Sequence, residues 1–206
     1  MNWQLDKPNP QLIQKKAQML MDYLATYTQA KLRFYAGDMK LQVETDAACL
    51  VMPKARSRLA GHFYLSAFQT PNKSYPGQYN APILTECHTL KNVVSSAAEA
   101  ECGGIFHNCC VAIGIRNALE GMDHPQGKTT VITDNSTATS FVHSAMREKR
   151  SKSWDMKYNC LRDQQAQQQF EIKWQKGATN QANFFTKHHP PSHHKLKCYD
   201  YILRGY

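Results

Sequence analysis

The sequence predicts a mixed α/β fold, a five-stranded sheet flanked by helices. Three observations carry this. From about residue 41, alternating and β-branched runs fall in two groups: three succeed one another before the long helical pattern over 97–120, and two more are reached through helices. Hydrophobic residues make up 42% of the chain, enough for a core. The 206 residues suit one domain, with or without an appendage.

The elements follow in order. Leu12, Ala17, Leu20, Met21 and Leu24 recur at helical spacing after Pro8-Asn9-Pro10, which predicts a helix over about 10–27. Segments 31–35 and 41–45 read as strands around a turn at Gly37-Asp38. A strand over 61–68 leads into a loop over 69–81, rich in Pro, Asn, Gly and Ser, and then into a strand over 82–87. Ser95-Ser96 can cap a long helix over 97–120 that ends near Gly121. The run TTVIT (129–133) is a buried strand, followed by a helix over 135–144. Trp154, Tyr158 and Leu161 share one face of a helix over 154–168, with Trp154 and Trp174 expected in the core. FEIKW (170–174) alternates as a strand does, and a short helix over 179–187 comes next. The His- and Pro-rich segment 188–195 is expected to be irregular, and its histidines have a composition that metals favour.

Composition narrows the function classes. No stretch approaches the roughly 18 apolar residues of a membrane span, so no membrane partner is expected. The first eleven residues lack the basic-then-apolar pattern of a secretory signal, so an intracellular protein is expected. The seven cysteines form no CxxC pair and read as reduced thiols rather than a disulfide or zinc framework. Net charge is +9, concentrated late: residues 140–206 hold 12 Lys and Arg against 5 Asp and Glu. That half is the natural place for phosphate contacts, or for a solvated basic surface.

Two carboxylates sit where strands are expected to end. Asp46 follows LQVET and Asp134 follows TTVIT. If these strands are neighbours, both face the crevice outside the carboxyl ends of the sheet. In the long helix, Val94, Ala98, Ile105, Cys109 and Ala112 form the apolar stripe. Glu101 falls inside that stripe and Glu99 off it. A carboxylate on a buried helix face needs a counter-charge, and a divalent cation supplies one. Three hard oxygen donors suit Mg²⁺ or Mn²⁺ rather than zinc.

Five segments also resemble, in order, the motifs of one family. ETDAACL (44–50) is similar to its SDADWAG-type strand end, SSAAEAECGGIF (95–106) to its SSTEAEY-type motif, and TDNSTA (133–138) to its CDNQSA-type motif. SWDMKYNCLRD (153–163) resembles its HIDIRYHFIRE-type helix, and KGATNQANFFTKHHP (176–190) its closing motif, which carries an acidic residue before a TK dipeptide. The family is the ribonuclease H domain of copia-type LTR retrotransposon polyproteins. The stretch 20–35 resembles the end of the preceding reverse transcriptase region.

This resemblance implies an RNase H-like fold with strand order 3-2-1-4-5. It divides the chain into a tether over 1–36, a domain over 37–190 and a tail over 191–206. It implies endonucleolytic cleavage of the RNA strand of an RNA–DNA hybrid by two Mg²⁺ or Mn²⁺ ions. The implied partners are that hybrid and the reverse transcriptase domain of the same polyprotein, in a cytoplasmic virus-like particle or the nucleus. Its first three acidic positions fall on Asp46, Glu101 and Asp134. The fourth falls on Asn183, a departure from the expected Asp, which brings a carbonyl oxygen but no charge. No histidine is expected beside this site, since His188 and His189 lie beyond the family's position.

Arg147, Lys149, Arg150 and Lys152 either track phosphates or form an exposed loop. Lys54, Arg56 and Arg58, expected in a turn after Asp46, carry the same two readings. Ser95 either meets an RNA 2′-hydroxyl or caps the helix, and Asn135 either touches substrate or caps the next helix. The alternative function is a catalytically silent remnant that binds nucleic acid or props a reverse transcriptase, suggested by Asn183 and by Cys102 in place of an aromatic. A transposase or integrase of related fold would carry its Glu last, whereas Glu101 lies between the two Asp residues.

Overall fold

In the computed structural model, residues 9–32, 34, 37–66, 80–143 and 152–203 are described. The chain opens with helix α1 (Pro10–Thr26), capped by Asn9, whose side chain accepts from the Gln11 N–H at 3.0 Å. Strand β1 (Lys31–Leu32) follows, then the hairpin of β2 (Leu41–Met52) and β3 (Arg56–Leu65), and then β4 (Pro82–Thr89). Helix α2 (Ala97–Gly121), β5 (Thr129–Thr133), α3 (Ser136–His143), α4 (Lys152–Ala166) and β6 (Phe170–Trp174) come next. The chain finishes with the one-turn α5 (Asn183–Thr186), α6 (Pro191–Tyr201) and β7 (Ile202–Leu203).

The main sheet has the order β4-β3-β2-β5-β6. Numbered as sheet strands along the chain, this is the expected 3-2-1-4-5. The β2–β3 and β3–β4 pairs are antiparallel, and β2–β5 and β5–β6 are parallel. The first three strands are joined locally, and the last two are reached through helices, so each pair takes the direction its connection permits. The core joins Leu41, Val43, Phe63, Val131 and Ile172 of the sheet to Ile105, Cys109 and Ala112 of α2 and Leu161 of α4.

Several boundaries depart from the sequence expectations. β2 runs on to Met52, because its pairing with β3 continues to Ala48 and resumes at Met52 after an irregularity. Leu50, at φ 56°, absorbs that irregularity. Asp46 therefore lies within a strand rather than at its end, and Arg56 and Arg58 lie in β3 rather than in a turn. β1 is short and pairs with β7, not with its sequence neighbour. The segment expected to be irregular contains α6, for which Pro191 supplies a preset φ at the first position. The predicted helix over 179–187 contracts to α5. Trp174 is half exposed rather than core. No helix among the described residues is long and apolar enough to cross a membrane.

Candidate active site

The parallel ladder between β2 and β5 ends at the pair Glu44 and Ile132. Two residues further along the chain from each of these stand Asp46, still within β2, and Asp134, just past the end of β5. They hold equivalent positions just past the last shared rung, where the strands part. The connections from β2 and β5 run to opposite sides there, which is where a sheet of this type opens a crevice. Glu101 enters from the first turns of α2. The three carboxylates each offer an oxygen within 4.8 Å of the others.

Each carboxylate is held by a neighbour. The Ala47 N–H donates to Glu101 Oε1 at 3.1 Å, and the Thr133 hydroxyl to Oε2 at 3.3 Å, so Glu101 spans the parting strands. The Thr186 hydroxyl donates to Asp46 Oδ2. The Trp174 indole N–H donates to the Asp134 carbonyl at 2.9 Å, which anchors the backbone there. Gly177 lies against the Asp134 carboxylate so closely that a Cβ would collide with Oδ2. A larger residue at this position would displace the Asp134 carboxylate.

Burial dominates the electrostatics. Asp46 is 1% exposed and Glu101 4%. Burial, followed by the Asp46 charge, pushes Glu101 up to about 8. Burial also raises Asp46, while the Thr186 hydrogen bond and the Lys187 ammonium pull it back. Carboxyls crowded together out of water resist ionising together, and this set of hard donors fits a divalent cation that neutralises them.

Asn183 begins α5 beside this cluster. Its amide donates to the Gly177 carbonyl at 3.0 Å, and its Oδ1 accepts from Lys187 Nζ. Lys187 Nζ also lies 3.9 Å from Asp46 Oδ1, so the ammonium sits between the two side chains. His189 lies close as well, its Nε2 3.4 Å from the Asn183 carbonyl. This corrects the expectation that no histidine neighbours the site: the turn after α5 folds back and stacks His189 on Phe184.

The other candidates fall elsewhere. The Ser95 hydroxyl donates to Glu99 Oε2 at 2.6 Å, while the Ser96 side chain caps α2 by accepting from the Glu99 N–H at 3.1 Å. Asn135 Oδ1 accepts from the Ala138 N–H at 2.9 Å and so caps α3. Arg147, Lys149 and Arg150 lie outside the described residues, and Lys152 opens α4. Sequence reasoning missed Thr186 and Lys187, although both stand in the closing motif as its TK dipeptide. It also missed Glu44, 1% exposed, which accepts from the Gln181 N–H and is pushed up to about 7 by burial.

No protein-family model and no curated protein matches the chain. Solved structures do. The N-terminal RNase H domain of a Mycobacterium tuberculosis protein, solved as a fusion with maltose-binding protein, is similar at a TM-score of 0.50 and 11% identity, covering 72% of this chain and 91% of that one. A mutant prototype foamy virus protease–reverse transcriptase is similar at a TM-score of 0.50 and 13% identity, covering 75% of this chain but 21% of that one. The fold is RNase H-like.

Proposed function

We propose that this chain is a ribonuclease H that hydrolyses the RNA strand of RNA–DNA hybrids within a retrotransposon of copia type. The observation that carries this reading is the convergence of Asp46, Glu101 and Asp134, oxygens within 4.8 Å, just past the last rung between β2 and β5. Asp46, Glu101 and Asp134 would hold the cations, with the Asn183 carbonyl oxygen as a fourth, uncharged donor. Two Mg²⁺ or Mn²⁺ ions, when bound there, supply an activated water and stabilise the leaving oxygen of a phosphodiester.

The chain's own residues prepare that chemistry. Ala47 and Thr133 fix the Glu101 oxygens, and Thr186 fixes Asp46. Lys187 balances part of the charge and must move aside as cations enter. With Asn183 in place of a fourth carboxylate, the site carries formal −3, so weaker binding of a second ion and slower turnover are expected. Arg147, Lys149, Arg150 and Lys152 are proposed phosphate contacts, Ser95 a proposed contact to an RNA 2′-hydroxyl, and Asn135 a proposed contact to the hybrid.

The retrotransposon context rests on the ordered motifs, with further support from α1. That helix carries no buried residue and leaves Leu12, Ile13, Leu20, Met21 and Leu24 exposed. The proposed occupant of this stripe is the reverse transcriptase region, with 1–36 as tether, 37–190 as the nuclease and 191–206 as tail. The foamy virus neighbour, of which this chain matches about a fifth, is itself a protease–reverse transcriptase. An intracellular setting follows from that context. The second reading, a silent nucleic-acid-binding remnant, is favoured by Asn183 and by Cys102 in place of an aromatic.

A labelled RNA–DNA hybrid separates the two. The nuclease cuts the RNA strand with Mn²⁺, and Asp46→Asn abolishes cutting while retaining hybrid binding. Binding without cutting in the parent chain leaves the remnant.

A further inference from the structure

A second set of metal-ligating side chains converges on the α2 side of the edge strand β4. Glu86 and His88 are two apart on that strand and so project from one face. His107 reaches them from α2. Both imidazoles approach the same carboxylate oxygen: Glu86 Oε2 is 3.2 Å from His107 Nε2 and 3.6 Å from His88 Nε2. The two rings meet edge to face with centroids 5.5 Å apart, and one donor atom from each residue lies within 4.8 Å of the others.

We propose that Glu86, His88 and His107 form a zinc site, with water in the fourth position. Tetrahedral zinc with bonds of roughly 2.0–2.2 Å holds neighbouring donors about 3.3–3.6 Å apart, within about 0.1 Å of the 3.2 and 3.6 Å that separate the Glu86 oxygen from the two imidazoles. Two imidazoles and one carboxylate select zinc over the magnesium suited to an all-oxygen cluster. His88 and His107 side chains are 53% and 40% exposed, so an ion and its water can enter.

The backbone prepares this arrangement. Gly61 of β3 stands opposite Glu86 in the β3–β4 register. A Cβ there would collide with Asn108 Oδ1, so glycine lets α2 lie close over the sheet. Asn108, next to His107, donates from Nδ2 to Thr45 Oγ1 at 2.8 Å and to the Ala60 carbonyl at 2.9 Å. These bonds fix the rotation of α2 and aim His107 at β4. The zinc ties the edge strand to the helix that carries Glu101, six residues earlier. The site stands independently of the nuclease proposal.

The test is zinc binding by the full chain, with Mg²⁺ in excess to occupy the carboxylate cluster. Zn²⁺ is titrated against a chromophoric chelator, and Co²⁺ is used as a spectroscopic probe of coordination. One Zn²⁺ per chain is expected, with a rise in Tm and the visible bands of four- or five-coordinate Co²⁺. His88→Ala and His107→Ala should each weaken Zn²⁺ by at least about tenfold and remove the Tm rise. Both side chains are substantially exposed, and His107→Gln, which keeps a polar side chain, serves as the second variant. His189 and His193, stacked 4.0 Å apart, are the competing zinc ligands, so His189→Ala with His193→Ala should leave the affinity unchanged. No zinc binding, or binding that follows His189 and His193 instead of His88 and His107, overturns the proposal.

Discussion

Glu44 and Glu101 are carboxyls that burial holds near neutrality, at about 7 and about 8. Their folded values lie above the ordinary 4.5, so the folded state binds protons that the unfolded state has already released. The stability they contribute is full below about pH 4.5 and is lost as pH rises toward 7 and 8. The metal-free protein is thus expected to lose Tm between pH 5 and 9. Glu44→Gln should flatten the curve between about pH 4.5 and 7, an effect of at most about 3 kcal/mol. A Tm that climbs over this range in both proteins would refute the prediction. Saturating Mn²⁺ should restore stability above pH 8, where the carboxylates are charged. Lys187 is a second residue-scale test. Its ammonium lies 3.9 Å from Asp46 and is about half exposed, so screening keeps its effect near 1 kcal/mol. Lys187→Met should tighten Mn²⁺ by about fivefold in calorimetry, at some cost in metal-free stability. Weaker Mn²⁺ binding would instead show that Lys187 helps to hold the cation site together. The three acids were legible in the sequence because each breaks a local pattern: two follow β-branched runs, and one interrupts an apolar helix stripe. Thr186 and Lys187 stood in the closing motif as its TK dipeptide but interrupt no apolar or β-branched run, and Glu44 lies inside the strand pattern that precedes Asp46.

Among the elements, β5, β6 and the capped start of α2 match expectation because period and capping chemistry agree locally. β2 outran its predicted end because partner pairing, not propensity, sustains a strand past Asp46. α6 was hidden by the assumption that two prolines and four histidines cannot make a helix, whereas Pro191 is well placed at its start. The junction of α2 with the sheet rests on Asn108, fully buried, with two hydrogen bonds to β2 and β3. Asn108→Ala should cost about 2–3 kcal/mol in denaturant unfolding, since it leaves a carbonyl and a hydroxyl unpaired. A cost below about 0.5 kcal/mol would mean that α2 is held by apolar packing alone. α1 is the opposite case. It has no buried side chain, and its Tyr23 meets His194 of α6 at a 3.1 Å hydrogen bond. Its amides should exchange with deuterium far faster than those of β2 and β5. Equal protection would show that α1 is part of the core.

At the scale of the whole molecule, the +9 charge sets how a polyanion is met. Hybrid binding should weaken steeply with salt, by roughly a hundredfold between 50 and 200 mM if four phosphates are engaged. A flat response would argue against phosphate contacts by the basic region 147–152. The sheet order followed from the motif resemblance and from the grouping of the strands. The pairing of β1 with β7 did not, because it joins the two ends of the chain through two-residue strands. The fold brings Asp46 and Asp134 to equivalent positions past one shared rung and lowers Glu101 onto them, and the nuclease proposal depends on that convergence. Anomalous scattering from crystals soaked in Mn²⁺ reads it most directly. Mn²⁺ peaks are expected between Asp46, Glu101 and Asp134, with Asn183 at the weaker of two ions and Lys187 displaced. Crystals with no peak among the three carboxylates, at Mn²⁺ concentrations that fill other sites, would contradict it.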